Sequence, residues 1–349
     1  MEHLNPIDKS VKEAVSAYLS AHPDAFGGLG RHRFTAIGGL QPTSISPIAH
    51  AVGWMQGEFM GQYLAPDIIG GRNQQLVWME FGEDALVAGD DLVAFNGPVK
   101  PVDVGTQLHT ENVLTHGGST SIDSAEARIA AAAGINLVQI KSAQPKRLVE
   151  LGKEIAIATF FQTTGNYESS SHYETLSGAD QFDHDDSDAI AKIRQYMKVV
   201  GDACGKRPNR IGFGDDAFEA LAWNKKLLAL LKEANTLGNG IPVVAQVVSL
   251  LLNAEVYISG AIYKPAAGAA TTKVWRDGVH MVYAGESRDP AMEEPKFAMT
   301  AVSPDFPKVI PMVSQKGLEG GQEIRYGDCY KTYSCWKKAG AALFDATSA

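Results

Sequence analysis

The chain is short of the features by which enzymes and secreted modules announce themselves. Three cysteines occur in 349 residues: Cys204, Cys329 and Cys335. Their number is odd and no C-x-x-C pair exists, so neither a disulfide framework nor a cysteine zinc site is expected, and synthesis in a reducing cytoplasm is. Basic residues are also in deficit. Lys and Arg total 31 against 40 Asp and Glu, a formal net charge of −9. That excludes a dedicated nucleic-acid binder, which needs a concentrated basic surface, but not a local basic strip. The most apolar stretch, Ile241–Val256, is broken by Gln246, Ser249, Asn253 and Glu255. It is too short and too polar to span a bilayer. Met1-Glu2-His3-Leu4-Asn5-Pro6 lacks a basic start followed by an apolar stretch, so no secretory signal is expected.

Catalytic motifs are missing as well. No H-E-x-x-H, no G-x-x-x-x-G-K-[ST] and no G-x-S-x-G occurs. Gly212-Phe213-Gly214-Asp215-Asp216 follows a strand-like segment and precedes a helical one, but acidic residues stand where a phosphate would arrive. His109 and His116 lie seven apart with no further ligand placed near them, which favours ordinary hydrogen-bonded histidines. The one dense cluster is Asp180–Asp188, with five Asp and His184 in nine residues. Oxygen ligands of this kind can hold a divalent cation, and a hydrolase using Asp183, His184 and Asp185 is one reading. The EF-hand spacing is absent, and carboxylates before a helix cap it and favour its dipole without any ligand. No catalytic, cofactor-binding or metal residue is assigned, no cofactor is expected, and the chain is read as a non-enzyme.

What is present is ordinary globular composition, 45% hydrophobic and 20% charged, with 35 Gly and 16 Pro supplying turns. The length suggests about two domains. Residues 1–35 resemble a separate arm, with Ile7, Val11, Val15 and Tyr18/Leu19 at helical spacing before His22-Pro23 and Phe26–Gly30. A lone amphipathic helix of that length is marginal, so its apolar stripe needs a partner surface. Gln74–Phe81 and Thr106–Val113 read as a strand and its return, joined by about two dozen residues, Gly82–Gly105. So long a connection predicts a projecting hairpin that must lie on something else.

Further along, Ser121 or Asp123 caps an Ala-rich helix over 125–133, Gly134 interrupts it, and Pro145 starts or kinks the next stretch to about 162. Thr163–Asp188 reads as a polar surface loop. Helices are predicted over Ala189–Val200, over Ala217–Ala222 capped by Asp215 or Asp216, over Asn224–Glu233, and over Val243–Leu252 with Pro242 in its first turn. Strands are predicted at Arg210–Phe213 and, after Glu255, at Val256–Tyr263, Val274–Arg276, Val279–Tyr283, Phe297–Val302, Lys308–Val313, Glu323–Trp336 and Ala339–Phe344. The class is α+β.

Four segments carry a resemblance. Pro208–Leu227 (P-N-R-I-G-F-G-D-D-A-F-E-A-L-A-W-N-K-K-L) is similar to a pattern of tailed-phage major capsid proteins, with Lys225 in place of a Pro. Leu176–Phe182 resembles their L-S-G-x-x-Q-W, with Phe182 for Trp, and Ser187-Asp188 follows. Lys153–Ala156 with Gly165-Asn166-Tyr167, and Tyr326–Leu343, resemble two more. Together they implicate the Hong Kong 97 fold over about 154–343. The resemblance implies an N-terminal arm at 1–63, an extended E-loop at 64–113 and a peripheral domain with a long spine helix at 114–198. It further implies an axial domain at 199–312 and a return to the peripheral domain at 313–349. Its functional implication is a subunit that assembles with itself into hexamers and pentamers, forming an icosahedral shell around double-stranded DNA held without sequence recognition. Scaffolding protein, portal and a decoration protein are the implied partners, no membrane is involved, and the implied location is the virion capsid, assembled in the host cytoplasm. Some relatives cross-link a Lys to an Asn. Lys100 lies in the matching loop, but nothing identifies its partner. An encapsulin-like cargo shell of the same fold is the alternative.

Overall fold

A computed structural model describes residues 59–70, 75–81, 106–135, 137–233, 245–285, 294–314 and 320–348. The arm helix, the hairpin tip Gly82–Gly105 with Lys100, and Pro242 lie outside them. In chain order the elements are α1 (Gly61–Leu64), β1 (Asp67–Ile69), β2 (Gln75–Phe81), β3 (Thr106–Asn112), β4 (Leu114–Asp123), α2 (Ser124–Ala132) and α3 (Leu137–Phe161). They continue with β5 (Tyr173–Thr175), α4 (Ala189–Cys204), β6 (Arg210–Gly214), α5 (Asp215–Ala222), α6 (Lys225–Glu233), α7 (Ala245–Leu252) and β7 (Glu255–Ser259). The last are β8 (Ile262–Tyr263), β9 (Thr272–Lys273), β10 (Val279–Val282), β11 (Ala298–Val302), β12 (Lys308–Ser314), β13 (Gly321–Ser334) and β14 (Gly340–Phe344). Two compact units result. Among the described residues, one holds those of 59–64, 161–283 and 338–348, and the other those of 65–160 and 284–337.

The first unit is built on a sheet of order β5-β14-β10-β6-β7. Strands β6, β10 and β14 are buried at nearly every position. That explains why they read as continuous apolar runs: both faces are covered. The helix α4 packs on β14, α5 on β6 and α7 on β7. Asp188 caps α4 by accepting from the Ala191 N–H, and Gly205 closes it at φ 71°. On the face of Gly212, the bare backbone admits Met60 and Leu64: a Cβ there would lie 2.6 Å from Leu64 Cδ1. Tyr63 stacks on Tyr257 at 4.4 Å, and Arg210 donates to the Tyr63 carbonyl at 2.7 Å and to Glu255 at 3.2 Å. The chain is thus fastened to this unit at residues 60–64.

The second unit is organised by the 14-residue strand β13. Along one edge its residues 321–330 pair with the whole of β4. Along the other it pairs first with β12 and then with β11, which carries β1 in parallel beyond it. One face packs Tyr326 and Tyr330 against Val149 of α3. The glycines here are there for contact: Gly118 lies against Pro145 and Leu148, and Gly152 against the Tyr330 hydroxyl. The opposite face forms a core of Cys329, Tyr333, Cys335, Met299, Ile68 and Val113 with Leu76 and Trp78 of β2. The β2–β3 hairpin therefore rests on the sheet through one face, while Val77 (52% exposed) and Leu108 (72% exposed) point the other way.

Several expectations are corrected. Pro145 sits inside α3 and does not start it, because the helix already begins at Leu137. Thr163–Asp188 is not simply a surface loop: β5 joins the first sheet and Tyr167, His172, Leu176, Phe182 and Ser187 are buried. Neither Asp215 nor Asp216 caps α5, which starts at Asp215 after Gly214; both carboxylates bind Lys273 instead. Val274–Arg276 is not a strand, since Arg276 adopts φ 50°. The two compact units follow sheet pairing and are each built from separate stretches of chain. Residues 161–198 and the C-terminal strand β14 belong with β6 and β10, because β14 is paired between β5 and β10.

Gly214→Ala is expected to cost about 3 kcal/mol or more, because its Cβ would stand 1.7 Å from the Arg276 carbonyl oxygen, which is backbone and cannot step aside. Gly165→Ala, where a Cβ meets nothing within 4 Å, is expected to stay within about 0.5 kcal/mol of the parent. Urea midpoints of the two variants check this.

Candidate functional site

The residues that the sequence singles out do not converge. Among the described residues no group of three or more His, Cys, Asp or Glu is placed to hold a metal ion. Asp183 accepts from the Ser348 N–H and hydroxyl, which hold its carboxyl below the usual range against a burial effect that acts the other way. His184 Nδ1 accepts from the Asp186 N–H, and Asp185 pairs with Lys225. Asp180 pairs with Lys192 and Asp188 caps α4, so four of the five carboxylates of the acidic loop are engaged within the fold. His109 and His116 are also apart in role. His109 stacks on Trp78 with centroids 4.4 Å apart, and His116 on Tyr330 at 4.0 Å. Tyr330 further receives Lys153 at 5.8 Å from its centroid, and Lys153 bonds both oxygens of Asp67 at 2.8 Å. This chain of contacts ties α3 to β13, β4 and β1. Gly212 and Gly214 serve packing, and the carboxylates of Asp215 and Asp216 in the dinucleotide-like turn both pair with Lys273. The three cysteines are buried thiols without a disulfide.

One buried titratable group has a definite tautomer. His280, on β10 and fully buried, has Nδ1 3.3 Å from the Tyr167 hydroxyl. That hydroxyl already donates to the Phe161 carbonyl at 2.8 Å, so Nδ1 must carry the proton and donate. Phe161, Trp275 and Phe344 surround the ring at 5.5, 5.5 and 6.0 Å. Burial lowers the His280 pKa to about 3. The folded value lies below the unfolded one of about 6.5, so the unfolded chain binds the proton first as pH falls. Stability is fully present above about pH 6.5 and is lost toward pH 3, on the order of 5 kcal/mol over that window. The difference in unfolding free energy between the parent and His280→Phe is expected to shrink accordingly on acidification. A difference independent of pH contradicts it.

One open feature of the second unit, among the described residues, is a surface trough of about 390 Å³ beside the hairpin root. It runs over β4, β13 and β12 on the face that Trp78 shares. Gly117 and Gly327, directly paired, give it a bare backbone floor. Lys308 lies beside Gly327, and Ile310 and Ser119 flank Arg325. Phe306 forms a wall with the Lys308 ammonium 4.9 Å from its ring centroid. Arg325 donates to Glu323 at 2.9 Å, and among the described residues Lys308 has no carboxylate partner. On the trough's face β12 exposes Ile310 and Met312 at 49 and 43%, while Val309, 63% exposed, points to the opposite face. Patches of this kind on a strand edge mark contact with other chains. The sequence reading missed this site. Its only signal was the glycines of His116-Gly117-Gly118-Ser119, a stretch the sequence does not mark as a strand, and of Tyr326-Gly327 within a predicted one.

No protein-family profile and no curated protein matches the chain. Solved structures do. A phage-related protein from Bordetella bronchiseptica RB50 is 20% identical with a TM-score of 0.65, over 88% of this chain and 99% of its own. The capsid of the cyanophage P-SCSP1u is 8% identical with a TM-score of 0.50, over 91% and 92%. The holo-SrpI encapsulin complex from Synechococcus elongatus PCC 7942 gives 10%, 0.51, 95% and 96%. The chain therefore has the Hong Kong 97-type fold of phage capsids, an α+β fold, as the four motif resemblances imply.

Proposed function

We propose that this chain is the major capsid protein of a tailed phage or prophage. The observation that carries the reading is the shared fold over nearly the whole of both chains, with a phage-related protein at a TM-score of 0.65 and a phage capsid at 0.50. In this reading the subunit closes into hexamers and pentamers around double-stranded DNA. The net charge of −9 suits a container whose cargo is not held by affinity. The unit built on β13 and α3 is then the peripheral domain and the unit built on β10 the axial domain. Residues 1–63 act as the arm and 64–113 as the E-loop, rooted by Trp78 and Leu76. Scaffolding protein, portal and decoration protein are the partners of such a shell, which forms in the host cytoplasm and ends in the virion. Many modest contacts between copies add up through multivalency, so no single interface need be strong.

A cargo shell is the second reading, favoured by the agreement with the encapsulin at a TM-score of 0.51. The two differ in content. Particles purified from cells that carry the complete gene neighbourhood are expected to hold nuclease-protected DNA. A single enzyme packed inside, with no DNA, decides for the cargo shell. Deleting Gly82–Gly105 is expected to leave a folded, soluble subunit by circular dichroism and to abolish particles in electron micrographs. Particles of normal size from the deletion variant contradict the role given to the loop.

A further inference from the structure

Residues 172–187 lie at an edge of the first sheet and are held there by few strand bonds. Only β5, three residues long, pairs with β14. The other ties come from two sources. The helices supply one set: Asn224 Nδ2 donates to the Phe182 carbonyl at 2.9 Å and the Ser187 carbonyl at 3.2 Å, and Glu174 accepts from Lys192 at 2.9 Å and from the Tyr196 hydroxyl at 2.7 Å. The residues after β14 supply the other. The Leu176 N–H donates to the Phe344 carbonyl at 2.9 Å and the Phe182 N–H to the Ala346 carbonyl at 2.7 Å. Gln181 Nε2 donates to the carbonyls of Asp345 at 3.2 Å and Thr347 at 2.8 Å, and Ser348 donates to Asp183. The strap 345–348 is itself fixed by the Thr347 hydroxyl, which donates to Asp277 at 3.3 Å. It turns at Asp345, whose φ of 51° lies in the left-handed region that L residues seldom adopt.

A buried imidazole stands where this segment begins. His172 is 5% exposed, and its carbonyl accepts from the Ala342 N–H of β14 at 2.9 Å. Its Nδ1 lies 3.2 Å from the Ser171 hydroxyl and 3.5 Å from that of Ser169, while its buried Nε2 has no hydrogen-bond partner. A neutral ring is satisfied through Ser171. A protonated ring carries a charged N–H at Nε2 with no acceptor to receive it. Burial lowers the His172 pKa; Glu168 on the preceding turn opposes this, and Lys338 on the turn Lys337–Ala339 adds to it.

We infer that residues 172–187 are a flap latched by the C-terminal strap 345–348, and that His172 is its acid-sensitive release, so that mild acidification opens the flap as a unit while β6 and β10 stay closed. The inference goes beyond the capsid reading and stands apart from it. Its sign follows from linkage. An open flap exposes an imidazole of pKa about 6.5, and the closed flap holds it lower, so the open form takes the proton first as pH falls. Closure is favoured fully above about pH 6.5 and loses that advantage on acidification. Against burial, which raises them, the bonds named above hold Glu174 and Asp183 below the usual carboxylate range, so both stay charged in this window. The second histidine of the flap, His184, is exposed and accepts from the Asp186 N–H at 3.2 Å. Opening bares the outer edge of β14.

Hydrogen exchange on the full-length chain, compared as protection factors, tests both parts. The amides of Leu176 and Phe182 are expected to be at least about tenfold less protected than those of β6 and β10 at pH 7.5 and at pH 5. Between those two pH values their opening is expected to grow severalfold, up to about thirtyfold, the ceiling set by a free imidazole. His172→Gln is expected to abolish that step and His184→Gln to keep it. Gln181→Ala, which removes two bonds to the strap, is expected to raise flap opening about tenfold at pH 7.5 and to leave β6 and β10 unchanged. Titration of the His172 ring by NMR in the parent gives a second measurement that needs no variant, with a midpoint expected below about 6.5. Flap amides as protected as the sheet, or a pH step that survives His172→Gln, overturn the inference. So does a step lost in His184→Gln, a flap indifferent to Gln181→Ala, or a His172 midpoint at or above 6.5.

Discussion

Pairing along β13 is the interaction on which the second unit depends. One 14-residue strand takes β4 on one edge and β12 and β11 on the other, and its two faces serve two different partners. Tyr326 and Tyr330 face α3; Cys329, Tyr333 and Cys335 face the root of the hairpin. The alternation of side chains along a strand makes this division automatic. A register slip by one residue would send the tyrosines to the hairpin and the cysteines to the helix. The same alternation places Lys308, Ile310, Arg325 and the paired glycines on one surface, so the trough is a direct consequence of the register that holds the unit together.

From this follows how a subunit can be stable and still present surfaces for others. Core residues fill both faces of β13 near its C-terminal half, while its N-terminal half and β12 carry exposed apolar and charged side chains. The hairpin is anchored through Leu76 and Trp78 and exposes Val77 and Leu108 on its back. In the first unit the entering chain is fastened by Met60 and Leu64 over Gly212 and by the Tyr63–Tyr257 stack. Each long segment that the sequence sets apart is thus gripped at its root by a packed sheet. In the capsid reading, the remainder of each is left to bind siblings.

Much of the fold was legible because local signals and tertiary packing agree. The strand read at Gln74–Phe81 pairs with its return at Thr106–Val113, Asp123 and Asp188 cap as their positions predict, and the strands read at Arg210–Phe213, Val279–Tyr283 and Ala339–Phe344 are β6, β10 and β14. The failures have physical causes. Pro145 is tolerated inside α3, against its local preference, and so hides where the helix starts. Asp215 looks like a cap but is recruited by Lys273, fifty-eight residues away. The return of β14 to the sheet of β10 is a long-range pairing that no window of sequence contains. The trough depends on cross-strand neighbours, Gly117 with Gly327 and Ser119 with Arg325, which are adjacent only once the register is known.

The central claim is that this chain exists to join copies of itself. Negative-stain electron microscopy with light scattering on the purified full-length protein, with and without a scaffolding partner, tests it most directly. The account predicts closed, uniform particles built from hexameric and pentameric units. A compact monomer that persists across every salt, pH and scaffold condition would contradict it.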